Sequence, residues 1–420
     1  MGEPLTGLEA ALWARGTTWQ VVTVCTLRGA ITQDDVVAQF GQRIAYAPRW
    51  RRIVRQAMLA ANWIDDPSFD LGRHVREIPA RDLSGLSGIV SGLLESPLPE
   101  AGSPWEAVLV SAGSRRSALI VRAAPALVDG YDHIHLLQES LDEVSTPVDR
   151  DVPEWVPQPE PASDLAADAM TTLLRGIRDP RRLLSRAQAG VELVADGIAH
   201  TVAPHSPGRQ LIGSLDVPLD LLRQIRKRNR TTTHDVLLAL VAGGYAAWLT
   251  ATGQPLADKI AQIPLATREA DVLGSAIGSR IAPQWMALPL TLTDPVDRLQ
   301  LIASLTRARI DSRRLVSARD LSSLAGFAAP TIAAVAAGTV AAGRPWDILV
   351  ANVPGPETPR FFGPVPVSGC HQLIGAPAPG AVTATITSHE RTAGLDVVVP
   401  SLPDAFVAGA AETLTALSAI

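Results

Sequence analysis

The amino-acid sequence predicts an α/β or α+β protein built from two halves of similar size. Short β-branched and apolar runs alternate with helical patterns in both halves of the 420-residue chain, which is typical of sheets flanked by helices. A Pro-rich stretch, residues 147–161, has the composition of a linker. We expect an N-terminal lobe over residues 1–146, a linker with crossover helices over 147–205, and a C-terminal lobe over 206–420.

In the first half, the predicted elements run strand, helix and hairpin. Residues 19–27 are β-branched and bounded by glycines, which predicts a strand. Apolar residues at helical spacing predict a helix over 32–45. Two apolar runs, 107–110 and 118–121, are separated by a Gly-Ser-Arg-Arg turn and predict a β-hairpin.

The second half resumes the alternation after a helical region over residues 163–200. The later part of that region, residues 181–186, is basic and amphipathic, so contact with an anionic membrane surface stays open beside a partly buried crossover helix. Threonines at 231–233 supply cap candidates for a long apolar helix. The expected elements are a strand over 211–217, helices over 219–229 and 233–249, and strands over 348–353 and 395–399.

Composition limits the class of protein. With 47% hydrophobic and 19% charged residues, the chain can bury a sizeable core. A net charge of -5 without a long basic run argues against nucleic acid as a partner. The two cysteines fit a reducing compartment, and no signal peptide is evident, so we expect a cytoplasmic protein. The apolar run over 324–343 is rich in Ala and Gly, which favours a buried helix over a membrane span.

The most informative segment follows the second strand of the hairpin. Enzymes that move an acyl group from a thioester to a hydroxyl or amine often carry His-His-x-x-x-Asp-Gly, in which the second His accepts the proton of the attacking group. Here Asp129 and Gly130 retain the end of that motif, but Ala124 and Pro125 occupy the two histidine positions. Neither residue can accept a proton, and proline also fixes its own φ.

Six blocks in the same order along the chain resemble the bacterial wax ester synthase/diacylglycerol acyltransferase family, within the chloramphenicol acetyltransferase and condensation-domain superfamily. Two are near matches, Trp-Ile-Asp-Asp-Pro-Ser-Phe-Asp-Leu at residues 63–71 followed by His-Val, and Asn-Val-Pro-Gly-Pro at 352–356. Two depart from the family pattern: His234 stands where Asn is usual, and Ser279 where Asn is usual. The remaining blocks are residues 4–12 and 103–106.

The resemblance implies a two-lobed chloramphenicol acetyltransferase-like fold of mixed sheets flanked by helices, with a hydrophobic tunnel between the lobes. It implies that Asp129 pairs with Arg280 to hold the motif loop. It also implies an acyl thioester, linked to CoA or a carrier protein, as substrate, with no tightly bound cofactor, and peripheral membrane contact as in many family members. Predicted substrate-binding residues are Trp105, Tyr131 and Asn352.

Three interpretations of the missing histidines stay open. In the first, a substitute base takes over: His133, four residues after Asp129, would share a helix face with it, although His133 also fits an ordinary surface position. Asp132, His234 and His389 are weaker candidates. In the second, the tunnel promotes another reaction on an acyl or polyketide-like chain, such as cyclisation or isomerisation. In the third, the protein is a non-catalytic paralogue that binds an acyl chain or a carrier protein.

Other chemistries find little support in the sequence. It has no phosphate-binding Gly-rich loop, no zinc-type Cys/His spacing and no Gly-x-Ser-x-Gly elbow, so no metal site is expected. Cys370 and His371 are adjacent, but sequence neighbours seldom face each other productively. The sequence therefore favours a divergent acyltransferase-fold enzyme of specialised metabolism that acts on a hydrophobic substrate.

Overall fold

The computed structural model describes most of both halves of the chain. The described residues are 3–5, 9, 13, 16, 19–56, 61–99, 102–113, 115–127, 140–146, 152, 154–158, 208–266, 281–311, 346–353, 355–356 and 358–419. The predicted helical region over 163–200 and the apolar run over 324–343 lie outside them.

Strands and helices alternate through these residues as the sequence predicts. In chain order the elements are β1 Glu3–Pro4, β2 Val21–Leu27, α1 Gln33–Arg43, β3 Arg52–Gln56, β4 Ala61–Asp65, β5 Val75–Ala80, α2 Leu86–Glu95, β6 Trp105–Ala112, β7 Arg116–Ala123, β8 Leu211–Pro218, α3 Leu219–Asn229, α4 Thr233–Ala251, β9 Lys259–Ala266, β10 Ile281–Leu288, α5 Pro295–Asp311, β11 Ile348–Val353, β12 Phe361–Phe362, β13 Val365–Ile374, β14 Val382–His389, β15 Thr392–Val399 and α6 Pro403–Ala419.

The first sheet contains two strands that the predicted boundary at residue 206 assigns to the other lobe. Its order is β12-β13-β2-β7-β6-β5, and β13 pairs antiparallel with β2, with Cys370 opposite Cys25 and Ile374 opposite Val21. A shorter sheet, β1-β4-β3, lies beside it. Residues 361–374 therefore complete the N-terminal sheet, although they belong to the C-terminal half of the sequence.

The second sheet belongs wholly to the C-terminal half and has the order β10-β9-β11-β14-β15-β8. Helices α4 and α6 cover one face and form its apolar core with Val217, Leu395 and Val397. The helices approach closely, because a Cβ on Gly243 would lie 1.9 Å from Thr413 Oγ1. Among the described helices, α4 alone is long and apolar enough to cross a membrane, and 78% of its apolar window is buried inside the protein, as in a core helix.

The other face of the second sheet meets the first sheet. Val398 and Ile212 pack there against Val22, Leu373 and helix α2. Strand β13 lies along this contact: the backbone N–H of Gln372 donates to Thr387 Oγ1 at 3.2 Å, and Thr383 Oγ1 donates to the Ile374 carbonyl. We call this surface of β8, β15 and β14 the interlobe face.

Candidate functional site between the two sheets

The altered motif begins where β7 ends. The Ala124 amide donates to the Pro104 carbonyl at 2.9 Å, and the Leu127 amide donates to the Ala124 carbonyl at 2.9 Å. Ala124 is 2% exposed, and Ala126 and Leu127 are fully buried. The end of β7 is therefore hydrogen-bonded and buried. The two positions that carry the histidines in the parent motif have only hydrocarbon side chains.

Trp105, a predicted substrate-binding residue, lies in the core of the first half. It pairs with Ala123 at the end of β7 and is fully buried. Its indole N–H donates to the Trp50 carbonyl at 2.7 Å, and its ring stacks on His74 with centroids 4.5 Å apart. Burial lowers the pKa of His74. These contacts hold Trp105 in place beside the end of β7, where the motif begins. A contact of Trp105 with substrate stays a prediction.

His234 lies at the start of α4, beside Asp235, one carboxylate oxygen of which is engaged in the helix cap. Asp235 accepts from the Thr232 amide and from Thr232 Oγ1, both at 2.8 Å, in a capping box that starts the helix. Burial lowers the pKa of His234, and the charge of Asp235 opposes this shift. His234 is thus a half-buried imidazole that favours its neutral form, next to an acid whose Oδ2 accepts both cap bonds and whose buried Oδ1 has no partner among the described residues.

The remaining predicted site residues are placed as follows. Asn352 lies on β11 opposite Ile386 and is exposed. Asp129, Gly130, Tyr131, Asp132, His133 and Arg280 lie outside the described residues, so their predicted roles stay predictions.

Cys370 and His371 point to opposite faces of β13 and form no thiol–imidazole pair, in agreement with the sequence-based expectation that neighbours seldom face each other. Cys370 is bonded to Cys25 of β2, with the Cα atoms 4.4 Å apart and a sequence separation of 345. Two cysteines in the sequence fit a reducing compartment, whereas the structure joins them in a disulfide. The bond could have been predicted from the sequence only if the pairing of β13 with the distant strand β2 had been recognised.

His371 faces the second sheet and forms an ion pair with Asp396 of β15. Its Nδ1 lies 3.2 Å from both carboxylate oxygens, and Asp396, 1% exposed, also accepts from Ser214 Oγ at 2.6 Å. Gly394 makes room for the imidazole, because a Cβ there would lie 2.9 Å from His371 Nδ1. The charge of Asp396 raises the pKa of His371 to about 9, against the opposing effect of burial, so the imidazole is a cation at neutral pH.

His389, a weaker candidate from the sequence, belongs to the same interlobe face. Side chains alternate along a strand, so His389 shares the face of Thr383 and Thr387, whose hydroxyls contact β13. It is 6% exposed, and its Nε2 is buried without a hydrogen-bond partner among the described residues. Burial lowers the pKa of His389. The structure therefore brings a neutral and a protonated imidazole to one surface.

This pair of histidines lies well away from the altered motif. His371 is opposite Val24, and Val24 is opposite Ile120 on β7. Ala124 is four residues after Ile120, and β7 is two strands away from β13. At the usual strand rise and spacing, the Cα atoms of His371 and Ala124 are therefore about 16 Å apart. His371 therefore cannot act as the base on a carbonyl held at residue 125.

Comparisons with known proteins agree on one family for both halves. The model of the wax ester synthase/diacylglycerol acyltransferase catalytic domain matches residues 18–241, and that of the family's C-terminal domain matches residues 277–414. A Mycobacterium tuberculosis protein named as a diacylglycerol O-acyltransferase is 29% identical over 386 residues, which cover 83% of this chain and 75% of the relative.

Solved structures share the fold at low sequence identity. The wax ester synthase/diacylglycerol acyltransferase from Marinobacter aquaeolei VT8 superposes with a TM-score of 0.66 at 16% identity, covering 99% of this chain and 100% of that one. The starter condensation domain of rhizomide synthetase, solved with C8-CoA and Leu-SNAC, gives a TM-score of 0.58 at 14% identity, covering 100% and 94%. The predicted two-lobed fold class is thereby confirmed.

Proposed function

Because the chain belongs to the wax ester synthase/diacylglycerol acyltransferase family, we propose that it binds a hydrophobic acyl or polyketide-like thioester between its two halves. It acts on this substrate without a base at residues 124 and 125. The observation that carries the proposal is the buried Ala124–Pro125 pair at the hydrogen-bonded end of β7. A solved neighbour binds an eight-carbon acyl-CoA, which supports a thioester substrate of this class.

The altered motif separates this protein from ordinary storage-lipid synthesis. A positioned general base contributes roughly 10²–10⁴ in rate, or about 3–5 kcal/mol of barrier. Ala124 and Pro125 provide none of it. The reaction is therefore either acyl transfer with a substitute base, for which His133 is the sequence candidate, or a repurposed reaction such as cyclisation or isomerisation.

A non-catalytic role is the second candidate, and the same two residues favour it. Loss of both proton acceptors with retention of the surrounding strand suits a paralogue that binds an acyl chain or a carrier protein. The two candidates differ in turnover, because a binder saturates with the thioester and releases it unchanged.

The test combines binding with restoration of the motif. Octanoyl-CoA is titrated into the wild-type protein by calorimetry, and O-acylation of 1-dodecanol is then followed by mass spectrometry. We expect saturable binding, and we expect the double variant Ala124→His/Pro125→His to transfer the octanoyl group at least about 10²-fold faster than wild type. Val144→His adds an imidazole at a position that is 52% exposed and serves as the control.

Each outcome decides one part of the proposal. Absence of octanoyl-CoA binding would overturn it. Wild-type transfer that the double variant does not accelerate would show that a base already operates elsewhere, and loss of that transfer in His133→Ala would identify it. Turnover of acyl or polyketide-like thioesters beyond a heat-denatured control separates the enzyme from the binder.

A further inference from the structure

The interlobe face carries a polar cluster that the acyl-transfer motif does not use. Its members come from three strands of the second sheet and from β13, which crosses it. They are Ser214 and Asp216 of β8, Gly394 and Asp396 of β15, Thr387 and His389 of β14, and His371 of β13.

The register of the strands brings the two imidazoles close together. The imidazole of His371 lies over Gly394, whose partner on β14 is Thr387. His389 is two residues beyond Thr387 on the same face, so its Cα lies about 7 Å from that of Gly394. The two imidazoles therefore occupy neighbouring positions on one face, where burial and, beside it, the charge of His371 lower the pKa of His389.

The cluster is buried on its β14 side and exposed to solvent on its β8 side. Thr387 is fully buried and His389 is 6% exposed, whereas Ser214 and Asp216 at the β8 edge are exposed. The side chain of His371 is 24% exposed, and Asp396 behind it is 1% exposed. A molecule can therefore approach from the β8 edge and meet His371 first.

The two histidines have complementary hydrogen-bonding positions. Asp396 engages Nδ1 of His371 and orients the ring, as a buried carboxylate does in an acid–base dyad. His389 has a buried Nε2 with no partner among the described residues, and leaving such an atom unsatisfied costs about 1–3 kcal/mol. A substrate atom that bonds to this nitrogen would recover that cost.

We propose that His371 and His389 form an acid–base centre that moves a proton on carbon next to the carbonyl of a bound acyl thioester. His389 takes the proton from the α-carbon, the C–H electrons form a carbon–carbon double bond, and the carbonyl oxygen receives the proton of His371 Nε2. The product is a neutral enol, with His389 protonated and His371 neutral. Return of a proton to carbon restores both histidines, so the cycle needs no oxidant or co-reactant.

The charges around the cluster favour this order of proton transfers. Asp216 and Asp396 are carboxylates that face His371, and Glu390 adjoins His389. An enolate anion beside these groups would be destabilised, so delivery of a proton to the oxygen is required. Opposite pKa shifts of two neighbouring groups, as found for His371 and His389, are a common pattern of acid–base pairs. This inference rests on the proposed function, since the substrate is the same thioester.

The experiment uses 3-octenoyl-CoA in deuterated buffer with the full-length protein. We expect deuterium at C2 and conversion to the 2-enoyl isomer, measured by mass spectrometry and ultraviolet absorbance. His389→Gln and His371→Asn should each reduce the exchange rate at least about 10²-fold. Arg391→Gln, which changes an 85% exposed side chain next to β15, should retain the wild-type rate.

The outcomes distinguish this inference from the proposed function. If 3-octenoyl-CoA binds by calorimetry but no exchange exceeds the protein-free rate, the acid–base centre is overturned and the proposed function stands. If exchange occurs and both histidine variants retain it, the centre is also overturned. If the thioester does not bind, both fail. His389→Gln removes no hydrogen bond to Nε2 among the described residues, and thermal unfolding of the variant shows that it is folded, which keeps its rate interpretable.

Discussion

His371 and Asp396 join the two sheets of this protein through an ion pair in which Nδ1 lies 3.2 Å from both carboxylate oxygens. His371 belongs to a strand of the first sheet and Asp396 to a strand of the second. The pair thus contributes to the contact between the lobes as well as to the polar cluster.

We expect this ion pair to make stability fall at alkaline pH. The pKa of His371 is raised to about 9 from 6.5, so its stabilisation is fully present below pH 6.5 and is lost as the pH rises through about 9. At 1.36 kcal/mol per unit, the loss is up to about 3 kcal/mol. Urea unfolding on either side of this range measures it. His371→Asn should flatten the profile, and an unchanged profile in that variant would contradict the assignment.

Gly394→Ala should weaken the same pair without removing a charge. The added Cβ would lie 2.9 Å from His371 Nδ1 and 3.2 Å from its Cε1, so the imidazole must move away from Asp396. We expect a loss of about 1–3 kcal/mol and a lower pKa of His371 in an NMR titration. Gly88→Ala is the control, because its Cβ would meet nothing within 4 Å. A His371 pKa that remains near 9 in Gly394→Ala would refute the contact.

The Cys25–Cys370 bond should stabilise the join between β2 and β13. Replacing both cysteines with alanine should lower the free energy of unfolding by about 2–5 kcal/mol. Dithiothreitol should destabilise the wild-type protein under denaturing conditions and leave the double variant unaffected. Titration with a thiol reagent in denaturant measures the number of free thiols, and the unreduced protein should have none. Two reactive thiols before reduction would disprove the bond.

The start of α4 should depend on Asp235 rather than on His234. Asp235→Ala removes the acceptor of two bonds from Thr232, and we expect a loss of about 1–2 kcal/mol of stability. His234→Asn restores the residue usual in the family and should change stability by less than about 0.5 kcal/mol. Thermal unfolding compares the two variants. Equal losses would show that His234 contributes to the cap.

Local patterns in the sequence were sufficient for many of the elements. The helix predicted over 219–229 is observed at Leu219–Asn229, and the long apolar helix is observed at Thr233–Ala251, because helical spacing and a cap are encoded within each segment. The hairpin before the motif is confirmed at Trp105–Ala112 and Arg116–Ala123. The substitution of the histidine pair was also visible in the sequence.

The polar cluster could not be predicted, because it depends on contacts between segments far apart in the chain. Strand β13 has apolar residues at both ends, but Ser368, Gly369, His371 and Gln372 interrupt them, so it has no regular apolar period. Its partner β2 lies about 345 residues earlier. His371 and Asp396 meet only when the two sheets pack. The sequence draws attention to His371 only through its neighbour Cys370, and nothing in it pairs His371 with Asp396.

The place of β13 in the first sheet affects how the protein is made. Until the ribosome has synthesised residue 374, the edge of β2 that pairs with β13 lacks this partner, and its amide and carbonyl groups are exposed as far as the described strands are concerned. Such an edge can pair with another chain, so early release of the nascent N-terminal half exposes it to aggregation. A gene truncated near residue 206 should therefore yield insoluble protein, whereas co-expression of the missing half should rescue solubility.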